Sequence, residues 1–370
     1  MKLTLLQENL KKYVNLVSHF ISNKTQLPIL SNILIQTDKS KLTLSATNLE
    51  NSITTTIAAK IEKEGEITVN GKVFNEIITN LSSGPIDLGV LKEQIILTSF
   101  NFKSKILGSN TSDFPKLPKN LGKKPIVFEK DEFIKSLSKV LFSVSLDESR
   151  PILTGVLFVL ESGNLSLVAT DGFRLSEIKL KNKITSDDFS LIIPKSILNE
   201  IVRIEEDGNI EMSYDKDNNQ VLFKIEDILL SSRVIEGSFP DYKKIIPKTS
   251  ENVINIDKFE LEKAIKLSSV FARDAGNIIK LKIKDQNLKV TAESANAGSQ
   301  ETEIEIRTDS DTELAEVEIM FNFKFIEEVL KVIENDEVQI KITGQNTSAI
   351  FLDSKFPNFL HLIMPIKSQN

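Results

Sequence analysis

Cysteine is absent from the 370 residues, and histidine occurs only at positions 19 and 361. Without thiols there can be no disulfide, thiolate nucleophile, zinc finger or iron–sulfur cluster. Two histidines leave little scope for imidazole acid–base chemistry. No stretch approaches the ~18 consecutive apolar residues of a membrane helix. The opening Met1-Lys2-Leu3-Thr4-Leu5-Leu6-Gln7-Glu8 turns polar too early for a secretory signal, so a cytoplasmic protein is expected. Basic charge is not in excess either. The 46 Lys and Arg stand against 52 Asp and Glu, a net charge of −6, which argues against a surface that coats nucleic acid everywhere and leaves room for a localised basic face. What is present is 40% hydrophobic and 26% charged residues in a chain too long for one ordinary core, so two or three domains are expected.

A three-fold internal repeat supplies them. Leu42-Thr43-Leu44-Ser45-Ala46 recurs as Leu165-Ser166-Leu167-Val168-Ala169 and as Leu288-Lys289-Val290-Thr291-Ala292, at spacings of 123 residues. Pro28-Ile29-Leu30-Ser31-Asn32-Ile33-Leu34 recurs at the same spacing as Pro151-Ile152-Leu153-Thr154-Gly155-Val156-Leu157. Phe-Pro stands near the end of each copy, at Phe114-Pro115, Phe239-Pro240 and Phe356-Pro357. Within each copy a strand-like opening gives way to helical periodicity over residues 9–17, 133–141 and 259–268, then to alternating strands, then to a second helix over 72–81, 194–204 and 322–333. Asp131, Glu132 and Asp257 fall where helix N-termini favour negative charge, and Pro194 suits a first helical turn. One repeat therefore reads β-α-β-β-β-α-β-β-β, an α+β domain, with boundaries at 1–124, 125–248 and 249–370.

With their starts included (residues 8–17, 72–81, 131–141, 194–204, 257–268 and 322–333), the six helices carry twelve basic and ten acidic residues. Lys11, Lys12, Lys135, Lys139, Lys195 and Arg203 are expected to form an exposed positive face, because most helical acids sit at helix starts or in the third repeat. Two such chains closed head to tail would place twelve helices around a ring. At ~8–10 Å between axes the ring is ~35 Å across, and subtracting helix radii leaves ~25 Å, enough for duplex DNA. Contacts from lysine to phosphate would then hold DNA without reading its sequence.

Motifs of other chemistries fail on their spacing. Residues 65–73 mimic a phosphate loop, but five residues separate Gly65 from Gly71 and Val73 replaces the required hydroxyl. Residues 215–226 resemble a calcium loop, but Gln220 occupies the glycine position and a polar hairpin turn is expected instead. His361 reads as a strand residue, and His19 follows the first helix without an evident partner.

Gln26-Leu27-Pro28-Ile29-Leu30, Ala169-Thr170-Asp171-Gly172-Phe173-Arg174-Leu175, Ser238-Phe239-Pro240-Asp241-Tyr242 and Met364-Pro365-Ile366 resemble the bacterial DNA polymerase III beta subunit family, the sliding clamps, over essentially the whole chain. The resemblance implies three similar DNA-clamp domains per chain and a homodimeric ring with helices inside and sheets outside. It implies no catalytic site, metal or cofactor. The implied partners are double-stranded DNA held independently of sequence, the polymerase III catalytic subunit, a clamp loader, and other polymerases and repair proteins bearing a peptide of Gln-Leu-x-Leu-Phe type. The alternative is a repeat scaffold that binds proteins without encircling DNA.

Carried over position by position, the peptide groove between the second and third domains is lined by Arg150, Leu153, Thr170, Gly172, Phe173, Arg174 and Leu175, by Pro240, Lys244 and Ile245, by Asn322, Phe325, Asn346 and Ser348, and by Met364, Pro365 and Ile366. Apolar walls there accept leucine and aromatic anchors. Phe173 replaces a common His and Lys244 a common Arg, which makes one wall greasier and removes a fork of donors. The matching DNA positions are Lys24, Lys72, Asp147, Pro151, Ile152 and Lys195, of which the three lysines are the expected phosphate contacts. For the dimer, Glu301, Glu303 and Glu305 alternate on one strand and Lys103 and Lys105 on another, with Val270 and Phe271 as the apolar plug.

Overall fold

In the computed structural model, residues 1–22, 26–122, 124–180, 184–247, 252–308 and 314–367 are described. Each repeat contributes two helices: α1 (Gln7–Ser18) and α2 (Gly71–Asn80), α3 (Lys130–Leu141) and α4 (Lys195–Arg203), α5 (Lys258–Ala272) and α6 (Phe323–Val332). Their starts are specified locally. The side chains of Asn70, Asp257 and Asn322 accept hydrogen bonds from the N–H groups of Val73, Glu260 and Lys324 at 3.0–3.1 Å, which satisfies donors that the first turn leaves open. Glu129 does the same for α3 through the N–H groups of Asp131 and Glu132. In α1 the buried face is Leu10, Val14 and Val17, at helical spacing. No helix among the described residues is long and apolar enough to cross a membrane.

Among the described residues, five strands separate the helices of the first repeat and four those of the second and of the third, where three were expected. The strand missed by periodicity is the one that runs straight into the second helix: Gly65–Asn70, Phe189–Pro194 and Val317–Asn322. With no turn residue between strand and helix, two patterns abut and the helical one masks the other. Pro194 accordingly closes a strand immediately before α4 rather than occupying the helix's first turn. Residues 215–219 form the expected hairpin turn, with Asp215 paired to Gln220 and its carboxylate accepting from the N–H groups of Asp217 and Asn218.

By packing, the chain divides into two units, residues 1–133 with 199–234, and residues 134–198 with 235–370. In the first, thirteen strands run in one order, and the first repeat joins the second where Asn51–Ala58 pairs antiparallel with Ile228–Arg233. In the second, an eight-stranded sheet joins the second repeat to the third where Arg174–Lys179 pairs with Phe356–Ile363, and a separate four-stranded sheet carries α5. The same pair of strands thus continues the sheet at both junctions between repeats.

Lys139 departs from the expected positive face. Its side chain is 2% exposed, and its ammonium lies 3.1 Å from Asp353, donates to the Val332 carbonyl and sits over the rings of Phe356 and Phe359. Helical periodicity places it one position from the apolar stripe, and only the neighbouring sheet decides that this flank is covered. Lys12 is bound to Glu206 at 3.1 Å and Arg203 to Glu200 at 2.8 Å. His19 also has a partner, Glu200, 2.8 Å from Nδ1. That carboxylate lies 181 residues away in sequence, which is why local reading misses it.

Candidate functional site

The groove residues all belong to the second unit. Their centre is the turn that links Asn164–Thr170 to Arg174–Lys179. Thr170 Oγ1 donates to the carbonyl of Arg174 at 2.6 Å and accepts from the N–H of Gly172 at 3.1 Å. Asp171 accepts from the N–H groups of Phe173 and Arg174 at 2.9 and 3.0 Å. Gly172 has φ +92°, a conformation that side chains resist, and a Cβ there would lie 3.4 Å from the Arg150 guanidinium.

This rigid turn does two things. It directs Arg174 inward, 8% exposed, where Nε meets Asp171 at 3.0 Å, one Nη meets Glu328 at 2.5 Å and the other meets the Phe142 carbonyl at 2.8 Å, with the Phe325 ring 4.6 Å away. It directs Phe173 outward, 59% exposed. The carbonyl of Phe173 accepts the N–H of Met364 at 2.8 Å, which sets the exposed Met364 beside the turn. Ala349 pairs with Ile363, so Ser348 and Met364 follow directly on adjacent strands. Leu175 forms a buried apolar cluster with Leu157, Val168, Ile192, Tyr242 and Leu362, flanked by Ile152, Phe239 and Ile246. Leu153 is buried nearby in sequence, whereas Pro240, Lys244, Ile245 and Asn346 are exposed. Lys244 is held by Asp241 at 2.9 Å. Asn322 caps α6, and the N–H of Ile366 reaches the carbonyl of Met320 at 2.8 Å.

Tyr242, which position-by-position transfer did not include, is buried in the same apolar cluster as Leu175, and Phe239-Pro240-Asp241-Tyr242 carries the signal. Its hydroxyl donates to Glu177 at 3.2 Å, and burial first and that carboxylate second raise its pKa far above the ordinary tyrosine value. His361 lies below the groove on the strand opposite Ser176, with Nδ1 2.8 Å from the Ser176 hydroxyl. Complete burial, then the charge of Arg174, depress its pKa well below 6.5. The sign of the resulting pH dependence is fixed: the unfolded chain takes up the proton near pH 6.5 and the folded chain does not, so stability is complete above that pH and falls below it. Urea unfolding is expected to show a loss between pH 7.5 and 5.5 that exceeds that of a His361→Asn variant by about 1.4 kcal/mol. Identical losses would show that His361 accepts its proton without cost.

The first unit holds the same turn with different chemistry. Thr47 Oγ1 donates to the carbonyl of Asn51 and accepts from the N–H of Leu49, Asn48 accepts from the N–H of Asn51, and the N–H of Arg233 reaches the carbonyl of Glu50 at 2.9 Å. Beneath it Ser52 faces Ser231, their hydroxyls 2.7 Å apart, where the second unit has Leu175 facing Leu362. Ser45 likewise stands in the place of Val168. Buried hydroxyls that bind one another offer no apolar floor to a leucine anchor, so the turn of the first unit lacks the apolar floor that lies beneath its counterpart in the second.

Of the expected phosphate contacts, Lys24 lies outside the described residues and Lys72 is exposed in the first turn of α2. Lys195 is half-buried at the start of α4, with its N–H on the Thr154 carbonyl at 3.2 Å. Burial, then the nearby Arg174, lower its pKa, and Glu328 opposes them. Among the described residues no group of three His, Asp or Glu side chains is placed to hold a metal ion.

Two of the strand edges left open among the described residues carry residues expected at the dimer contact. Phe102–Ser109 pairs along its length with Gln94–Ser99, but on its other side only Gly108 and Ser109 are bonded. Lys103 and Lys105 are exposed on one face of that strand, and Leu107 on the same face is 74% exposed, an apolar residue that charge patterning did not single out. Gly298–Glu305 is the end strand of the four-stranded sheet and exposes Glu301, Glu303 and Glu305, with Lys289 of the same sheet bridging the first two at 2.7 and 3.4 Å. Val270 is exposed and Phe271 half-exposed near the end of α5.

Comparison with known proteins accounts for this architecture. Family profiles described as the N-terminal, central and C-terminal domains of the DNA polymerase III beta subunit match residues 1–118, 127–241 and 243–367 in that order. Curated relatives named beta sliding clamp include one from Synechocystis sp., 28% identical with all of both chains covered, and one from Staphylococcus aureus, 29% identical over 94% of each. The crystal structure of the DNA polymerase sliding clamp from Bacillus subtilis superposes with a TM-score of 0.92 at 26% identity, covering both chains completely. With three successive domains of one subunit matched in order across nearly its whole length, the chain belongs to the DNA polymerase III beta subunit family, the bacterial sliding clamps.

Proposed function

We propose that two copies of this chain close into a ring around duplex DNA, and that the ring has no catalytic step of its own. It acts in the cytoplasm as a mobile tether. The observation that carries this reading is the pair of open strand edges. Each junction inside the chain joins a strand of one repeat to the closing strand of the next, and one junction of the same kind is left unmade at each end. The domains are taken as residues 1–124, 125–248 and 249–370, with the matched profiles as support.

Repeat symmetry supplies the register of the missing junction. Ala46 opposite Ile53 corresponds to Ala292 opposite Gln300, and the hairpin pair Ile225 and Ile228 corresponds to Ser99 and Phe102. Since Ile53 faces Leu230 within the chain, Gln300 faces the partner subunit's Ser104 and Glu301 faces the partner subunit's Lys103. Exposed ion pairs of this sort contribute only ~0–1 kcal/mol each, so the backbone ladder and the burial of Leu107, Val270 and Phe271 hold the ring. Lys72 and Lys195, with Lys24, meet phosphates, and the groove around Phe173, Leu175 and Met364 takes peptides from the polymerase catalytic subunit, a clamp loader and repair proteins.

Sedimentation velocity is expected to show a dimer of the 41.5 kDa chain at micromolar concentration. A Leu107→Asp variant is expected to dissociate at about a hundredfold higher concentration than the parent, since a buried leucine of 1.5–3 kcal/mol becomes a desolvated charge. In fluorescence polarisation, a labelled Gln-Leu-Asp-Leu-Phe peptide is expected to bind saturably and to lose affinity in a Met364→Ala variant. A monomer that binds this peptide would instead favour the scaffold that does not encircle DNA.

A further inference from the structure

The groove reading above leaves open which peptides this chain prefers, and the geometry of one turn narrows the choice. Phe173 is a phenylalanine held in solvent, 59% exposed, on backbone that cannot move aside: its N–H is fixed by Asp171 at 2.9 Å and its carbonyl by Met364 at 2.8 Å. Large apolar groups on rigid, exposed turns mark recognition surfaces more than they mark folding, because folding gains little from them. The polar side chains of the same turn are already committed. Asp171 spends both carboxylate oxygens on Phe173 and Arg174, Thr170 spends its hydroxyl on the turn, and Arg174 places its three nitrogens on Asp171, Glu328 and the Phe142 carbonyl. What the turn offers a ligand is therefore the face of the Phe173 ring, continued by the exposed thioether of Met364.

We infer that Phe173 is a specificity-determining residue, which selects linear peptides carrying an aromatic residue just outside the Gln-Leu-x-Leu-Phe core. This rests on the groove reading. Its occupant is a peptide because the turn that carries Phe173 leads directly into Leu175, which packs with Tyr242 and Leu362 in the apolar cluster that would seat the core anchors. Aromatic pairs gain from ring geometry beyond the area they bury, and a backbone already fixed by hydrogen bonds has little freedom left to lose on binding. A polar or acidic residue at the same place would meet an apolar face, with the turn's own side-chain donors, Thr170 and Arg174, already bonded.

The test compares Gln-Leu-Asp-Leu-Phe peptides extended by Phe or by Ser, at either end, in fluorescence polarisation with the full-length protein. One Phe-extended peptide is expected to bind five- to tenfold more tightly than its Ser-extended counterpart. That ratio is expected to fall below twofold in Phe173→Ser and to persist in Phe173→Tyr, which keeps the ring; thermal unfolding of each variant checks that it folds. A parent ratio near one, or a ratio that survives Phe173→Ser, overturns the inference while leaving the groove intact. Failure of every peptide to bind the parent overturns the groove reading and this inference with it.

Discussion

Replacing Lys139 by Ala is expected to destabilise the protein by about 3–5 kcal/mol, the range for breaking a buried ion pair on one side. The loss comes less from the attraction removed than from the charge left behind. Asp353 is fully buried, and although it accepts N–H groups from Glu334 at 2.8 Å and Lys355 at 3.0 Å, Lys139 is the cation that balances it. The Val332 carbonyl also loses its lysine donor, and the rings of Phe356 and Phe359 lose the ammonium they surround. Lys139→Met combined with Asp353→Asn removes both charges and keeps an acceptor for one of the two N–H groups, so urea unfolding is expected to place the double variant closer to the parent than Lys139→Ala. A Lys139→Ala variant within 1 kcal/mol of the parent would mean that water reaches Asp353. A surface lysine, as the helix pattern implied, would give that result.

Arg174→Ala is expected to cost about 3 kcal/mol and to abolish peptide binding. The stability term falls at the low end of the range for one-sided loss of a buried pair, because Glu328 is partly exposed and can be rehydrated once the guanidinium is gone. The binding term arises from position. Arg174 ties the turn at Asp171, the end of α3 at Phe142 and α6 at Glu328 into one arrangement, and Phe325 stacks on its plane. Arg174→Lys is expected to restore little of either, since one ammonium cannot serve three acceptors set around a planar fork. Urea unfolding and peptide polarisation on the same three proteins check both. Full peptide affinity in Arg174→Ala would show that the turn holds itself through Thr170 and Asp171 alone.

How much of this was legible beforehand differs by residue. Leu10, Val14 and Val17 announced the buried face of α1, because helical spacing by itself puts them on one side. Glu301, Glu303 and Glu305 announced an exposed strand face for the corresponding reason of two-residue alternation. The strand Gly65–Asn70 did not show, since the helix begins at its very next residue. Arg174 and Phe173 were both named as groove residues, yet nothing in their order says that one is buried and fully bonded while the other stands in water. Hydrogen bonds from Thr170, Asp171 and Met364 make that choice.

The sequence alone determined the three-fold repeat and the positions of the six helices, because local periodicity and spacing are properties of neighbouring residues, while the family and the candidate groove followed from the resemblance of its motifs. Tertiary structure decided which copy of a shared turn has an apolar floor, Leu175 against Leu362 rather than Ser52 against Ser231. It decided that Lys139 is a buried cation and that Phe102–Ser109 and Gly298–Glu305 each keep a largely unpaired edge among the described residues. Those outcomes depend on contacts between residues more than a hundred positions apart, and no local pattern carries the energy of a distant contact.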